Sequence, residues 1–181
     1  MTVTTGNPDE VLLGAGTLYV AAIGTTEPAS ASATLPSAWR EIGWTEDGST
    51  VNYEITTADI EVEEEFDPVK VATTGRKGEV AFQMAQLTRA NLALALNKGA
   101  SGQTGTGSLE PPAPGSEVRV MIVLDTIDGS RWLFRRCVQS GRISIARKKA
   151  PNKALILVTF KLEKPTGLQP FVMFPNASSL V

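Results

Sequence analysis

The sequence predicts a mainly β protein: a β-sandwich or partly closed barrel with one flanking α-helix, extended loops and terminal arms. Three observations lead there. Short runs of alternating apolar and polar residues recur along the chain, separated by clusters of Gly, Pro, Asn and Ser. Only the stretch after Thr88 has helix-forming residues with capping signals at both ends. Asp128-Gly129 sits between two apolar runs, where a tight hairpin needs residues that tolerate positive φ.

Taken in order, residues 1–10 are polar and read as an N-terminal arm. Val11 to Ile23 reads as a first strand, interrupted early by Gly14 and Gly16, and Gly24 to Ser37 is a loop without periodicity. Trp39 to Trp44 and Thr50 to Thr56 are short strands joined by an acidic turn, Thr45-Glu46-Asp47-Gly48-Ser49. An acid-studded extended run, Asp59 to Phe66, leads through Asp67-Pro68-Val69 to a turn at Thr73-Thr74-Gly75-Arg76-Lys77-Gly78. Glu79 to Gln86 is the next strand. Thr88 is a good N-cap for a helix carrying Leu92, Ala93, Ala95 and Leu96, which Asn97-Lys98-Gly99 closes with a basic last turn and a glycine. At roughly three turns the helix needs a sheet to pack on.

Residues 99–116 are rich in Gly and Pro, which predicts a flexible loop or a contact element. A meander comes next: Val118 to Leu124, the Asp-Gly turn, Trp132 to Val138, a bend at Gly141, Arg142 to Ala146, a turn at Lys148 to Asn152, and Ala154 to Leu162. Residues 165–181 form a C-terminal arm whose Phe171 to Phe174, flanked by prolines, suits an edge strand. Length and pattern fit one domain over 1–181.

Composition narrows function. The chain has no histidine and one cysteine, which removes Ser-His-Asp and Cys-His chemistry and any internal disulfide. Cys137 lies in an alternating run and reads as a packed strand residue. No apolar stretch is long enough to span a membrane and no signal-peptide layout opens the chain, which points to synthesis in a cytoplasm. Gly14-x-Gly16 and Gly75-x-x-Gly78 lack the strand-glycine-helix context of phosphate loops. The bases at Arg131, Arg135, Arg136, Arg142, Arg147, Lys148 and Lys149 have few aromatics among them, so a subunit interface explains them better than nucleic acid. The expectation is a non-enzymatic protein with no cofactor and no metal.

The net charge of −2 hides a separation. Residues 1–70 hold 13 acids against two bases, a balance of −11, and the remainder holds six acids against 15 bases, +9. Either the halves neutralise each other within one fold, or an acidic surface meets a basic one on the next subunit. On a strand, Asp59, Glu61, Glu63 and Glu65 would share one face, spaced roughly 7 Å apart, too far to converge on a cation. They form either a solvated hairpin face or a surface that repels phosphates.

The order of these pieces resembles the tail tube proteins (major tail proteins) of long-tailed, siphovirus-type bacteriophages. Gly43-Trp44-Thr45-Glu46-Asp47-Gly48, the Val69 to Gly75 connection, and Ala81-Phe82-Gln83-Met84 before the Thr88 helix carry the likeness, which covers about half of the chain. The resemblance implies a virion protein, made in the host cytoplasm, that self-assembles into stacked hexameric rings around a DNA conduit. It implies tape measure and terminator proteins as partners, and DNA passing without specific binding. Asp59, Glu61, Glu63 and Glu65 become candidates for the lumen wall or its neighbouring stacking hairpin. Arg135, Arg142, Arg147, Lys148 and Lys149 become candidate inter-subunit bases. A capsid decoration or adhesion domain is the alternative from another class.

Overall fold

The computed structural model describes residues 16–101, 107–146 and 153–176. Its elements in chain order are β1 (Thr17–Ala22), β2 (Arg40–Glu41), β3 (Thr45–Ile60), β4 (Lys70–Met84), α1 (Arg89–Ala95), β5 (Val120–Asp125), β6 (Arg131–Gln139), β7 (Ser144–Ala146), β8 (Leu155–Leu162) and β9 (Phe171–Phe174). The mainly β class with one helix holds. All pairings are antiparallel in one continuous open sheet, ordered β2-β1-β5-β6-β8-β4-β3, with β7 beside β8 and β9 beside β6.

The sheet curls until its two ends meet at a corner. Ile42 N–H donates to the Leu18 carbonyl of β1 at 2.9 Å, and Ala85 N–H, just past β4, donates to the Trp44 carbonyl at 2.8 Å. Gly43 turns between them at φ 90, where a Cβ would also collide with the Gln86 side chain.

Inside the curl lies the larger core. Leu18, Val20, Ile122, Phe134, Phe160, Phe82 and Met84 project into it from five strands, and Leu94 and Ala95 of α1 close it. The alternate residues Ala21, Met121, Val123 and Leu133 face the other side, under Trp39 and Leu35. Strands β1 and β5 are therefore buried on both faces, which is why they read as nearly unbroken apolar runs. A bulge at Arg135–Arg136 lets Phe134 and Cys137 reach the same core from one strand.

The unpatterned loop after β1 covers that second face. Trp39 Nε1 donates to the Thr26 carbonyl at 3.0 Å, and Arg131 Nη1 to the Ala33 carbonyl at 2.6 Å. Thr88 caps α1 as expected, accepting from the Asn91 N–H at 3.2 Å. The other end differs: Asn97, not Gly99, supplies the first left-handed residue (φ 56). Asn97 N–H then bonds to the Leu94 carbonyl and Lys98 N–H to the Ala93 carbonyl. Asn97 is favoured there because its side chain also exchanges two hydrogen bonds with the Gln139 backbone, at 2.8 and 2.9 Å.

Two expected turns are absent. Thr45 to Ser49 belongs to β3, where Asp47 and Gly48 at positive φ form a bulge opposite β4. Thr73 to Gly78 lies inside β4, with Thr74 as an extra residue facing the Thr56–Thr57 step. Each cluster of turn residues meets a partner strand that continues past it, so the ladder absorbs the kink. The Asp128-Gly129 turn is formed, with Gly129 at φ 81 and Thr126 N–H donating to the Ser130 carbonyl at 2.9 Å. The expected N-terminal arm at 1–10 lies outside the described residues, as do 102–106 of the Gly/Pro loop. Within the C-terminal segment, β9 pairs along β6, and no described helix is long and apolar enough to cross a membrane.

Candidate functional site: a projecting hairpin with a charged tip and root

Strands β3 and β4 pair from Thr45↔Met84 out to Ile60↔Lys70, but β8 supports β4 only from Glu79 to Met84. Beyond that point the hairpin leaves the body as a bare two-stranded arm, Tyr53–Ile60 against Lys70–Gly78. At 3.2–3.4 Å per residue the arm is roughly 25 Å long. Its apolar residues have no cover: Ile55, Ile60, Val69 and Val71 are exposed. At its base Tyr53 sits edge-on to Phe171 of the body at 5.2 Å, and Phe171 stacks on Trp132.

At the tip, the structure corrects the expected acidic strand. Only Asp59 and Ile60 lie in β3; Glu61, Glu63 and Glu65 lie in the loop to Lys70. The register closes at Ile60↔Lys70, reinforced by the Val69 N–H to the Ile60 carbonyl at 3.0 Å, so residues 61–69 must make the reversal. The four acids therefore do not share a strand face. From Asp59 to Asp67 there are six acids and no base. None of them belongs to a described ion pair. Phe66 stands among them fully exposed.

At the root, where the arm meets the body, a cleft of about 450 Å³ opens between Tyr53, Leu162 and Pro170, with Arg76 and Lys164 in its wall. A second cleft of about 420 Å³ lies against Lys77 and Lys161, with Glu54 and Glu79. Both include Gly78, and a Cβ there would stand 2.6 Å from Leu162 Cδ1. Sequence reasoning missed this basic root. Its signal was Arg76-Lys77 flanked by Gly75 and Gly78, which looks like a turn until β4 is seen to run through it.

The candidate inter-subunit bases fall in different surroundings. Arg135 pairs within the chain, its Nε 2.9 Å from Glu27 and its Nη1 3.0 Å from the Gln169 carbonyl. Arg142 is exposed, and Arg147, Lys148 and Lys149 lie outside the described residues. Of six described ion pairs, only Arg135–Glu27 and Lys153–Glu46 join the acidic first 70 residues to the basic remainder. The others are local to the meander: Arg136 and Arg119 hold Glu163 at 2.7 and 3.2 Å, and their hydrogen bonds and charges lower its pKa. Cys137 is fully buried and desolvation raises its pKa, so it is a packed thiol. Among the described residues no group of three His, Cys, Asp or Glu is arranged to hold a metal.

The family model described as phage tail tube protein matches residues 4–154 of this chain. Among solved structures, the chain is similar to one in the cryo-EM structure of the anti-feeding prophage (AFP) baseplate, 6-fold symmetrised. That similarity has a TM-score of 0.47 and 10% identity over 93% of this chain and 97% of the other, a likeness too weak to bear on function. No curated protein matches significantly.

Proposed function

The chain belongs to the phage tail tube protein family, and on that premise we propose that it self-assembles into stacked hexameric rings that conduct DNA into the host. Membership makes it a structural component of the tail, and in this reading it carries out no catalysis of its own. Tape measure and terminator proteins are its partners in this reading, and DNA crosses the lumen without specific binding.

The observation that carries the reading is the bare arm. A two-stranded hairpin alone is marginal in water, and this one exposes Ile55, Ile60, Val69 and Val71 along its length. Such an arm is stable when another subunit covers it. Asp59, Glu61, Glu63 and Glu65 belong in this reading to the stacking hairpin, because three of them lie in its terminal loop. Arg142 and the Arg147-Lys148-Lys149 run remain the candidate bases for contacts with the neighbour, where opposite charge fixes register.

Negative-stain electron microscopy across a concentration series, with sizing alongside, tests this. Hollow tubes of uniform width are expected. Discrete monomers or trimers at all concentrations would sink the polymer and favour a decoration or adhesion domain. Raising salt should dissolve stacks before rings, since exposed charges are screened and apolar contacts are not.

A further inference from the structure

Strand β8 stops pairing with β4 at Glu79↔Lys161, while β4 continues outward to Lys70. Over Lys70–Gly78 no described strand pairs with the β4 edge that faces away from β3, so its outward N–H and C=O groups form an open template. The two root clefts lie on opposite faces of the sheet at this notch. Tyr53 pairs with Gly78 and Glu54 with Lys77 one step on, and successive side chains point to opposite sides. The first cleft runs along the open edge from Thr73 to Gly78, against Leu162, Lys164 and Pro170, and among the described residues no acid lines it. In the second, Lys77 and Lys161 are offset by Glu54 and Glu79. Arg76 and Lys164 belong to no described ion pair.

We infer that a partner protein, and not a second copy of this chain, adds an extended acidic segment to the β4 edge in this notch. Its backbone pairs with β4 where β8 leaves off, and its side chains alternate between the two clefts. Those entering the first are a carboxylate held by Arg76 and Lys164 and an apolar group against Tyr53, Leu162 and Pro170. Those over the second are uncharged, because its two bases already face two acids. In strand addition the main chain supplies affinity and pockets for alternate side chains supply specificity. Charged residues on an open edge reject most strands; here Arg76 and Lys164 repel a basic strand and admit an acidic one. The described residues of this chain offer no such segment. Glu61, Glu63, Glu64 and Glu65 sit in the closed reversal before Lys70, and Glu54 and Asp59 are already paired within the hairpin.

The test is a short labelled peptide with threonine at every second position and glutamate and leucine alternating between. Fluorescence anisotropy reads its binding to the full chain, at concentrations where sizing shows single subunits. Saturable binding is expected, weakened about tenfold or more when lysine replaces glutamate. N-methylation of one alternate set of residues should abolish binding, and of the other set leave it, because only one edge of the peptide faces β4. Hydrogen exchange should slow at the β4 amides between Thr73 and Gly78. Arg76→Glu/Lys164→Glu, at exposed positions and checked for folding by circular dichroism, should prefer the lysine peptide instead. Binding indifferent to the peptide's charge, binding without slower exchange in β4, or no binding would overturn strand addition. A peptide of residues 7–15 of this chain, which carries Asp9 and Glu10, is the rival ligand. If it binds as tightly, the notch belongs to a second copy and the partner inference falls. All these readouts are made on single subunits, so their failure is distinct from a failure to form tubes.

Discussion

Replacing Asn91 by leucine keeps the volume of the side chain and removes the hydrogen bonds that fasten α1 to the corner of the sheet. Asn91 is fully buried. Its Nδ2 donates to the Ile42 and Gln86 carbonyls, both at 3.0 Å, and its Oδ1 accepts from Arg40 Nη1 at 3.0 Å. The Ile42 carbonyl has no other described partner, so it would be orphaned at about 1–3 kcal/mol. The Gln86 carbonyl keeps the Thr88 N–H at 2.9 Å, and that loss is a net hydrogen bond of about 0.5–1.5 kcal/mol. Losing the bond to a charged guanidinium costs about 1.5–3 kcal/mol. Arg40 would keep only carbonyl partners, Glu41 for Nη1 at 3.2 Å and Ala100 for Nε at 3.0 Å, while its Nη2 is buried without a described partner and burial already lowers its pKa. Together the loss is about 3–7 kcal/mol, a large part of the roughly 5–15 kcal/mol that holds a typical domain. Urea denaturation followed by circular dichroism reads this as a lower midpoint at unchanged slope. A loss under about 1 kcal/mol would mean that water or a shifted Arg40 satisfies these groups, and the corner would not depend on Asn91.

Three further outcomes rest on single contacts. Thr88→Ala removes the N-cap acceptor and should cost about 1 kcal/mol in the same denaturation; no change would mean that packing alone sets the helix start. Phe66→Ser should leave monomer stability within about 0.5 kcal/mol, because the ring is fully exposed, yet weaken tube formation by negative stain; unchanged tubes would mean that the exposed ring makes no contact between subunits. Arg136, through its hydrogen bond, and Arg119 lower the pKa of Glu163 below its unfolded value. Its contribution is therefore present above the ordinary glutamate range and lost as pH falls through the depressed folded pKa. Glu163→Gln should cost no more than about 1 kcal/mol near neutral pH, given its solvent exposure, and the gap to wild type should close on acidification. A gap independent of pH would refute the ion-pair origin.

Much of the architecture was legible because local chemistry settles it. Thr88 and the alanines after it specify a helix start, and Asp128-Gly129 specifies a tight turn between runs that pair in register from Ile122↔Phe134 to Asp125↔Arg131. The tail between prolines became an edge strand, since only an edge tolerates missing N–H groups nearby. The acidic hairpin was visible as charge, but the division between strand and loop was not. Asp59 to Phe66 alternates like a strand, yet β3 ends where β4 begins to pair, at Ile60↔Lys70. The basic root could not be read at all. Arg76 and Lys77 are far in sequence from Lys161 and Lys164, and only the β4–β8 ladder brings them together.

Residue identity and near neighbours suffice for the β class, the single capped helix, the absence of histidine chemistry and the family. Packing of the whole chain had to settle that Asp47-Gly48 bulges instead of turning, that Asn97 and not Gly99 ends the helix, and that the hairpin outruns its support after Glu79. A strand contains no hydrogen bonds of its own. Where it bends, ends or stands alone is fixed by whichever partner lies beside it, and that partner is chosen by the whole chain.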